Sequence, residues 1–245
     1  MAKLIKGKLH GRIGNTVHRV FRGQEIVQSY PQTVKPSGKT LIENKLFGNC
    51  SAMNSKIYML IKDFSLNKLD YDFCWETMAL FKRNFFQRNE LNNVVSSDNW
   101  KKIEAATNLT INKKVLVSDM MEESPVGDLY EDKLLLYMPE CKSINNSFLM
   151  KGAVSMEYSA TVIHYDTELK VAEVVHVVNS GRRYLPKGFS EQMHEFDLLN
   201  GEREIRNGLI VLCFGLRFFA SSISYGTLNS MEVNPTSILG MWWKG

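Results

Sequence analysis

The chain has 245 residues, of which 44% are hydrophobic and 23% charged, a composition that excludes a disordered or fibrous protein. Its longest apolar run, Leu209 to Leu216, is far shorter than the roughly 20 residues that a membrane-spanning helix needs. The N-terminus is lysine-rich but has no apolar stretch of the kind found in a secretory signal. We therefore expect a protein that remains inside the cell and does not enter a membrane.

Charge is distributed unevenly along the sequence. Residues 1–62 contain 11 Lys and Arg against 2 acids, a net charge of +9, whereas residues 63–245 contain 19 against 24, a net charge of −5. A basic N-terminal segment can bind nucleic acid or dock on the acidic surface of a neighbouring subunit. The charge pattern leaves both interpretations open.

A β-hairpin is predicted near the N-terminus. Residues 16–30 contain two runs of β-forming residues on either side of Arg22 and Gly23, where glycine can adopt the positive φ of a tight turn. Pairing Phe21 with Gln24 distributes apolar and polar side chains over both faces, so that neither face is fully apolar. Because a two-stranded ribbon is only marginally stable in water, the hairpin should pack on its own domain or on another subunit.

Amphipathic helices are predicted after the hairpin. Apolar residues recur every three or four positions from Thr40 to Phe64, and Thr40 with Glu43 fits a capping box. A second apolar stripe predicts a helix over residues 72–90, and a shorter helix fits residues 98–106.

From residue 110 onward, β-branched runs between turn residues replace the helical period. Strands are predicted over residues 114–118, 133–138, 156–165, 170–179, 194–198 and 209–222. The fold class is therefore predicted to be α+β, with an N-terminal β-hairpin arm, two to three helices and a C-terminal antiparallel β-sandwich. These three parts are assigned to residues 1–34, 35–109 and 110–245. Three glycines before the hairpin predict a flexible or tightly turning lead-in: Gly7, Gly11 and Gly14.

The strongest enzymatic signal is Gly38-Lys39-Thr40 at the start of the first helix, which resembles part of a phosphate-binding loop. The complete motif requires glycine at the position of Thr33, so an ordinary helix start explains this segment better. The five histidines and four cysteines show no metal-ligand spacing, and no nucleophile motif is present. We expect no catalytic, cofactor or metal site, and the cysteines should be free thiols.

A cluster of acidic residues surrounds Pro125 and Gly127 in a predicted loop. It consists of Asp119, Glu122, Glu123, Asp128, Glu131 and Asp132. An acidic loop is usually a solvated connection. It can also form an interaction surface, and here it would complement the basic arm of a neighbouring copy.

The N-terminus also carries a resemblance to known proteins. The segments Met1–Gly7, Gly11–Val17 and Phe21–Val27 form a glycine-flanked hairpin that resembles an uncharacterised family of proteins from Bacteroidota and their phages. The resemblance covers roughly residues 1–60 and implies a small α+β protein with a β-sandwich after its helices. It also implies a place in the virion of crAss-like tailed phages, where rings of identical subunits build the tail.

The resulting hypothesis is a non-enzymatic virion protein, a subunit of a phage tail or neck ring that is assembled in the host cytoplasm. Its expected partners are other copies of itself and other tail or portal proteins. The predicted arm interface consists of Val17, Arg19, Phe21, Arg22, Gly23, Ile26 and Val27. The alternative is a nucleic-acid-binding protein that uses the same basic arm, followed by a phosphate-loop enzyme.

Overall fold

The structure is a computed structural model. It describes residues 3–21, 23–29, 36–85, 100–145, 147, 149–185, 188–198, 205, 207–221, 223 and 226–244. The chain divides into two compact units, Met1–Lys45 and Leu46–Gly245.

The N-terminal sheet is an antiparallel meander of four strands, β1 (Lys3–Ile5), β2 (Lys8–Ile13), β3 (Thr16–Phe21) and β4 (Gln24–Ser29). Phe21 pairs with Gln24, which confirms the predicted hairpin and its register. Gly23 has a φ of +82°, the left-handed conformation predicted for the turn. The lead-in does turn tightly at Gly7 and Gly14, but β1 before the first turn and β2 between the two turns are strands that the sequence does not predict.

The first helix, α1 (Gly38–Phe64), begins earlier than predicted. The hydroxyl of Ser37 accepts a hydrogen bond from the Thr40 N–H at 3.2 Å, so Ser37 caps the helix and the capping box predicted for Thr40 and Glu43 is wrong. The predicted apolar stripe is confirmed from its second turn onward, whereas Ile42 is half exposed. Its buried members are Leu46, Cys50, Met53, Ile57 and Phe64, whereas Leu60 is half-buried and the next residue, Ile61, is buried although the predicted stripe does not include it.

The second helix, α2, covers Phe73–Phe85, and residues 86–90 of its predicted range lie outside the described part of the chain. The prediction of a helix over residues 98–106 is wrong for residues 100–106, which the structure describes. Lys101–Lys102 form a short strand, β5, and Glu104–Ala106 form a single 3-10 turn. The backbone of β5 pairs with Trp242 and its neighbour, and this tertiary pairing overrides the local helical pattern. Among the described residues, no helix combines the length and apolarity required to cross a membrane.

Two antiparallel sheets form most of the second unit. The larger sheet has the spatial order β10 (Val171–Asn179), β9 (Ser155–Asp166), β13 (Gly208–Phe219), β14 (Thr236–Lys244) and β5, with β6 (Leu109–Thr110) added to β14 and β11 (Arg183–Tyr184) added to β9. The smaller sheet has the order β12 (Gln192–Asp197), β8 (Lys133–Met138) and β7 (Val126–Tyr130). This architecture confirms the α+β class and the antiparallel, sandwich-like C-terminal part.

Two failures of the strand predictions concern residues 114–118 and β14. The run 114–118 is not a strand, because Val117–Met120 form a short helix, α3, in which the Asp119 carboxylate accepts a hydrogen bond from the Leu116 N–H at 2.8 Å. The sequence also does not predict β14 as a strand. Trp242 within it is buried.

The larger sheet is covered on both faces. On one face, Ile163, Leu209 and Val211 share a core with α1 and α2. On the other face, Val162 and Leu212 share a core with the smaller sheet. Because alternate side chains of β9 and β13 are buried on opposite faces, these strands are apolar almost throughout.

Two buried asparagines connect the end of α1 to the larger sheet. The amide of Asn234 donates a hydrogen bond to the Ser65 carbonyl at 2.9 Å, and its oxygen accepts one from Asn229 at 3.0 Å. Asn229 in turn accepts a hydrogen bond from the Phe218 N–H and donates one to the Leu216 carbonyl. Since both asparagines are buried, loss of either side chain leaves partners without water to replace it.

We predict that Asn234→Ala lowers the free energy of unfolding by about 2 to 3 kcal/mol, because it leaves buried polar groups unpaired. The matched control is Asn179→Ala at the exposed end of β10, which should change the free energy of unfolding by less than about 0.5 kcal/mol. Urea denaturation followed by far-UV circular dichroism measures both values. Equal values for the two variants would contradict the proposed role of the asparagine pair.

Candidate assembly interface

The β3–β4 hairpin has two chemically different faces. Directly paired residues project to the same side of a sheet, so Val17, Arg19, Phe21 and Ile26 share one face, and Arg12 of β2 joins them by pairing with Val17. We call these five residues the basic face. The opposite face carries the apolar side chains of Ile13, Val20 and Val27.

The first hairpin, β1–β2, shows the same separation. Its paired residues place Lys3, Ile5, Lys8 and His10 on one face, and the other face carries Leu4 with its partner in β2. In each of the two hairpins, therefore, the strand lysines and arginines lie on one face. The other face is apolar in β1–β2, whereas in β3–β4 Val20 and Val27 share it with polar residues such as His18 and Glu25.

The N-terminal sheet has no core of its own. Among the described residues of the range 3–45, none is buried. Leu4 is 71% exposed, Phe21 57% and Val27 58%. Large apolar side chains exposed on both faces of one small sheet are unusual for a protein that remains free in water, and they typically mark a surface that another molecule covers.

The structure brings together part of the predicted arm interface. Val17, Arg19, Phe21 and Ile26 lie on the basic face, whereas Val27 lies on the opposite one. Gly23 forms the turn and contributes no side chain. Arg22 lies outside the described residues.

The sequence predicts that the six acidic residues share one loop, but in the structure they do not. They are divided among α3 (Asp119), the loop after it (Glu122 and Glu123), β7 (Asp128) and the β7–β8 turn (Glu131 and Asp132). The loop prediction is wrong over residues 126–130 because these residues pair with β8. Asp119 serves as a helix cap, and Asp132 lies 3.8 Å from the Lys244 ammonium group.

Asp128 belongs to an exposed surface that the sequence does not predict. The side of the smaller sheet that faces away from the core, which we call the outer face, consists of Val126, Asp128, Tyr130, Lys133, Leu135, Tyr137, Met193, Glu195 and Asp197. Its three acids outnumber its single lysine, which donates a hydrogen bond to the Glu195 carboxylate. Val126 is 55% exposed, Tyr130 66% and Met193 65%. Alternating residues of β12 signal a half-buried strand, but its position beside β8 follows only from the tertiary fold.

The segment that resembles a phosphate-binding loop forms the start of a helix. Gly38, Lys39 and Thr40 lie in the exposed first turn of α1, while Thr33 lies outside the described residues. A cavity of about 190 Å³ in the second unit is lined by Asn108, Thr110, Leu116, Val117, Ser118, Ser124, Pro125, Ser237 and Leu239. This lining contains hydroxyl groups but no histidine or charged side chain that could activate them.

A polar cluster lies between the two sheets of the second unit. The buried Tyr158 hydroxyl lies 2.5 Å from Gln192 Oε1 and 2.6 Å from His194 Nε2. Because the glutamine oxygen can only accept, Tyr158 donates to Gln192 and accepts from a neutral His194 that carries its proton on Nε2. Burial lowers the pKa of His194 and raises that of Tyr158, so both groups are held uncharged at neutral pH. The cluster satisfies buried polar atoms within the core.

Three of the four cysteines lack the properties of reactive thiols. All four are free, and burial raises the pKa of Cys50, Cys141 and Cys213, which keeps these thiols protonated. In the described part of the chain, no group of three histidine, cysteine, aspartate or glutamate side chains is placed to hold a metal ion.

Comparison of the chain with protein-family models, curated proteins and solved structures finds no match. What bears on function is therefore the chemistry of the described residues, above all the two exposed sheet faces.

We predict that Gly23→Ala destabilises the β3–β4 hairpin by about 1 to 2 kcal/mol, because alanine is strained at a φ of +82°. The matched control is Gly38→Ala at the start of α1. A Cβ atom meets nothing within 4 Å at either position, so the two substitutions differ in backbone conformation and not in available space.

Hydrogen exchange followed by mass spectrometry measures the effect. Gly23→Ala should accelerate amide exchange in β3 and β4 at least about fivefold, while Gly38→Ala should leave it unchanged. Equal exchange rates in the two variants would show that the Gly23 turn does not control the hairpin.

Proposed function

We propose that this protein is a non-enzymatic structural subunit that assembles with other copies of itself through its N-terminal sheet. The single observation that carries the proposal is the absence of any buried residue among the described residues of that sheet, combined with its exposed apolar side chains. Small sheets need a covered apolar face to be stable in water. A partner molecule supplies the missing cover.

The setting we propose is a virion, with the protein as a ring subunit of a phage tail or neck. This part rests on the resemblance of the glycine-flanked hairpin to proteins of tailed phages. Identical subunits of a ring each need one surface that reaches the next copy, and an N-terminal sheet without its own core meets that requirement.

The second candidate function is nucleic-acid binding, which the basic face favours. Arg12 and Arg19 can pair with phosphates, and Phe21 beside them offers a ring on which a base can stack. The exposed apolar side chains on the opposite face, such as Val27, are not explained by phosphate binding. For this reason we favour assembly.

Deletion of residues 1–34 tests the proposal. In sedimentation velocity experiments on nuclease-treated protein, the full chain should form oligomers and the truncated chain should be a monomer. The truncated chain should still unfold cooperatively, because all buried residues that the structure describes lie in the second unit.

Two results would contradict the proposal. If the truncated chain still forms the same oligomers, the interface lies elsewhere. If the full chain is a monomer that binds DNA or RNA oligonucleotides with an affinity that falls steeply with salt, the basic face serves nucleic acid instead.

A further inference from the structure

We infer that the outer face of the smaller sheet is the surface that receives the basic face of a neighbouring copy. This inference rests on the proposed function, because it names the surface on which the N-terminal sheet of another molecule would dock. It assigns a role to a region that the fold itself leaves uncovered.

The two faces match in strand number and strand length. Each is built from three adjacent antiparallel strands, β2, β3 and β4 for the basic face and β7, β8 and β12 for the outer face, and all six strands have five or six residues. Two sheets of similar width pack face to face about 10 Å apart, with their side chains interdigitating.

The two faces also match in apolar content. The outer face exposes Val126, Tyr130 and Met193, and the basic face exposes Phe21 next to the half-buried Ile26. Docking would bury these side chains against one another and remove apolar surface from water on both molecules.

Charge selects the partner. The outer face has three acids against one lysine, while the basic face has two arginines and no acid. Arginines can form paired hydrogen bonds with carboxylates such as Asp128. A second outer face, or the phosphates of a nucleic acid, would bring like charges together on this surface and is therefore disfavoured.

This contact joins two different surfaces of identical molecules. Each subunit then binds one neighbour through its basic face and a second neighbour through its outer face. Such head-to-tail contacts generate a ring when the rotation between subunits closes, and a filament when it does not.

The test uses charge reversal in the full chain. Asp128 is suitable because it is exposed and the hydrogen bond of its side chain is to the next residue, Leu129, so its replacement should not disturb the fold. Asp128→Arg alone and Arg19→Asp alone should each raise the dissociation constant of self-association at least about tenfold. The double variant should recover most of that loss, because the opposite charges meet again.

Glu104→Arg is the control, because it makes the same change of charge at an exposed residue. Ile103 and Ala106, which flank this site, are buried in the core that the larger sheet shares with α1 and α2. It should leave self-association unchanged. Sedimentation equilibrium measures the dissociation constants of the unmodified chain and of the four variants, and circular dichroism checks that each variant is folded.

The possible outcomes separate the two proposals. If Asp128→Arg assembles like the unmodified chain while deletion of residues 1–34 abolishes assembly, the N-terminal sheet docks elsewhere and the inference is overturned while the proposed function stands. A double variant that is no better than the single ones would also overturn the inference. Assembly that survives the deletion would overturn both.

Discussion

A β-sheet is stable in water only when at least one of its faces is covered by other apolar groups. The two units of the protein differ in whether their sheets meet this requirement. The larger sheet is covered on both sides, by helices on one and by the smaller sheet on the other. Its central strands, β9 and β13, consequently have almost no exposed residue. The N-terminal sheet has no covered face among its described residues.

The smaller sheet stands between these extremes. Its inner face is part of the core, where Leu134, Leu136 and Phe196 are buried, while its outer face carries acids among exposed apolar side chains. An assembly in which the uncovered sheet of one copy lies on the exposed face of the next would satisfy both surfaces together. The basic N-terminus and the acidic remainder of the sequence then reflect the two sides of one repeated contact.

The sequence predicts those features of the fold that are set by local patterns. The turn at Gly23 determines the register of the β3–β4 hairpin, and the helical period locates α1 and α2. The sequence does not reveal β14, in which Gly240 interrupts the strand pattern although it leaves room for the Trp242 ring.

The candidate interface is only partly predictable for a related reason. The basic face follows from strand alternation around one turn, and four of its five residues come from a single hairpin. The outer face combines β7 and β8 with β12, which lies more than 50 residues further along the chain. No local pattern indicates that Asp128 and Glu195 both lie opposite Leu135, so the acidic cluster is read as a loop.

In the assembly that we propose, another copy of the chain covers the N-terminal sheet. The most direct measurement is amide hydrogen exchange in β1 to β4 of the full chain, compared between a dilute monomeric sample and a concentrated assembled one. Exchange in these strands should slow strongly on assembly, whereas exchange in β9 and β13 should stay the same. Exchange in β1 to β4 that is equally slow in the monomer and in the assembly would contradict the proposal.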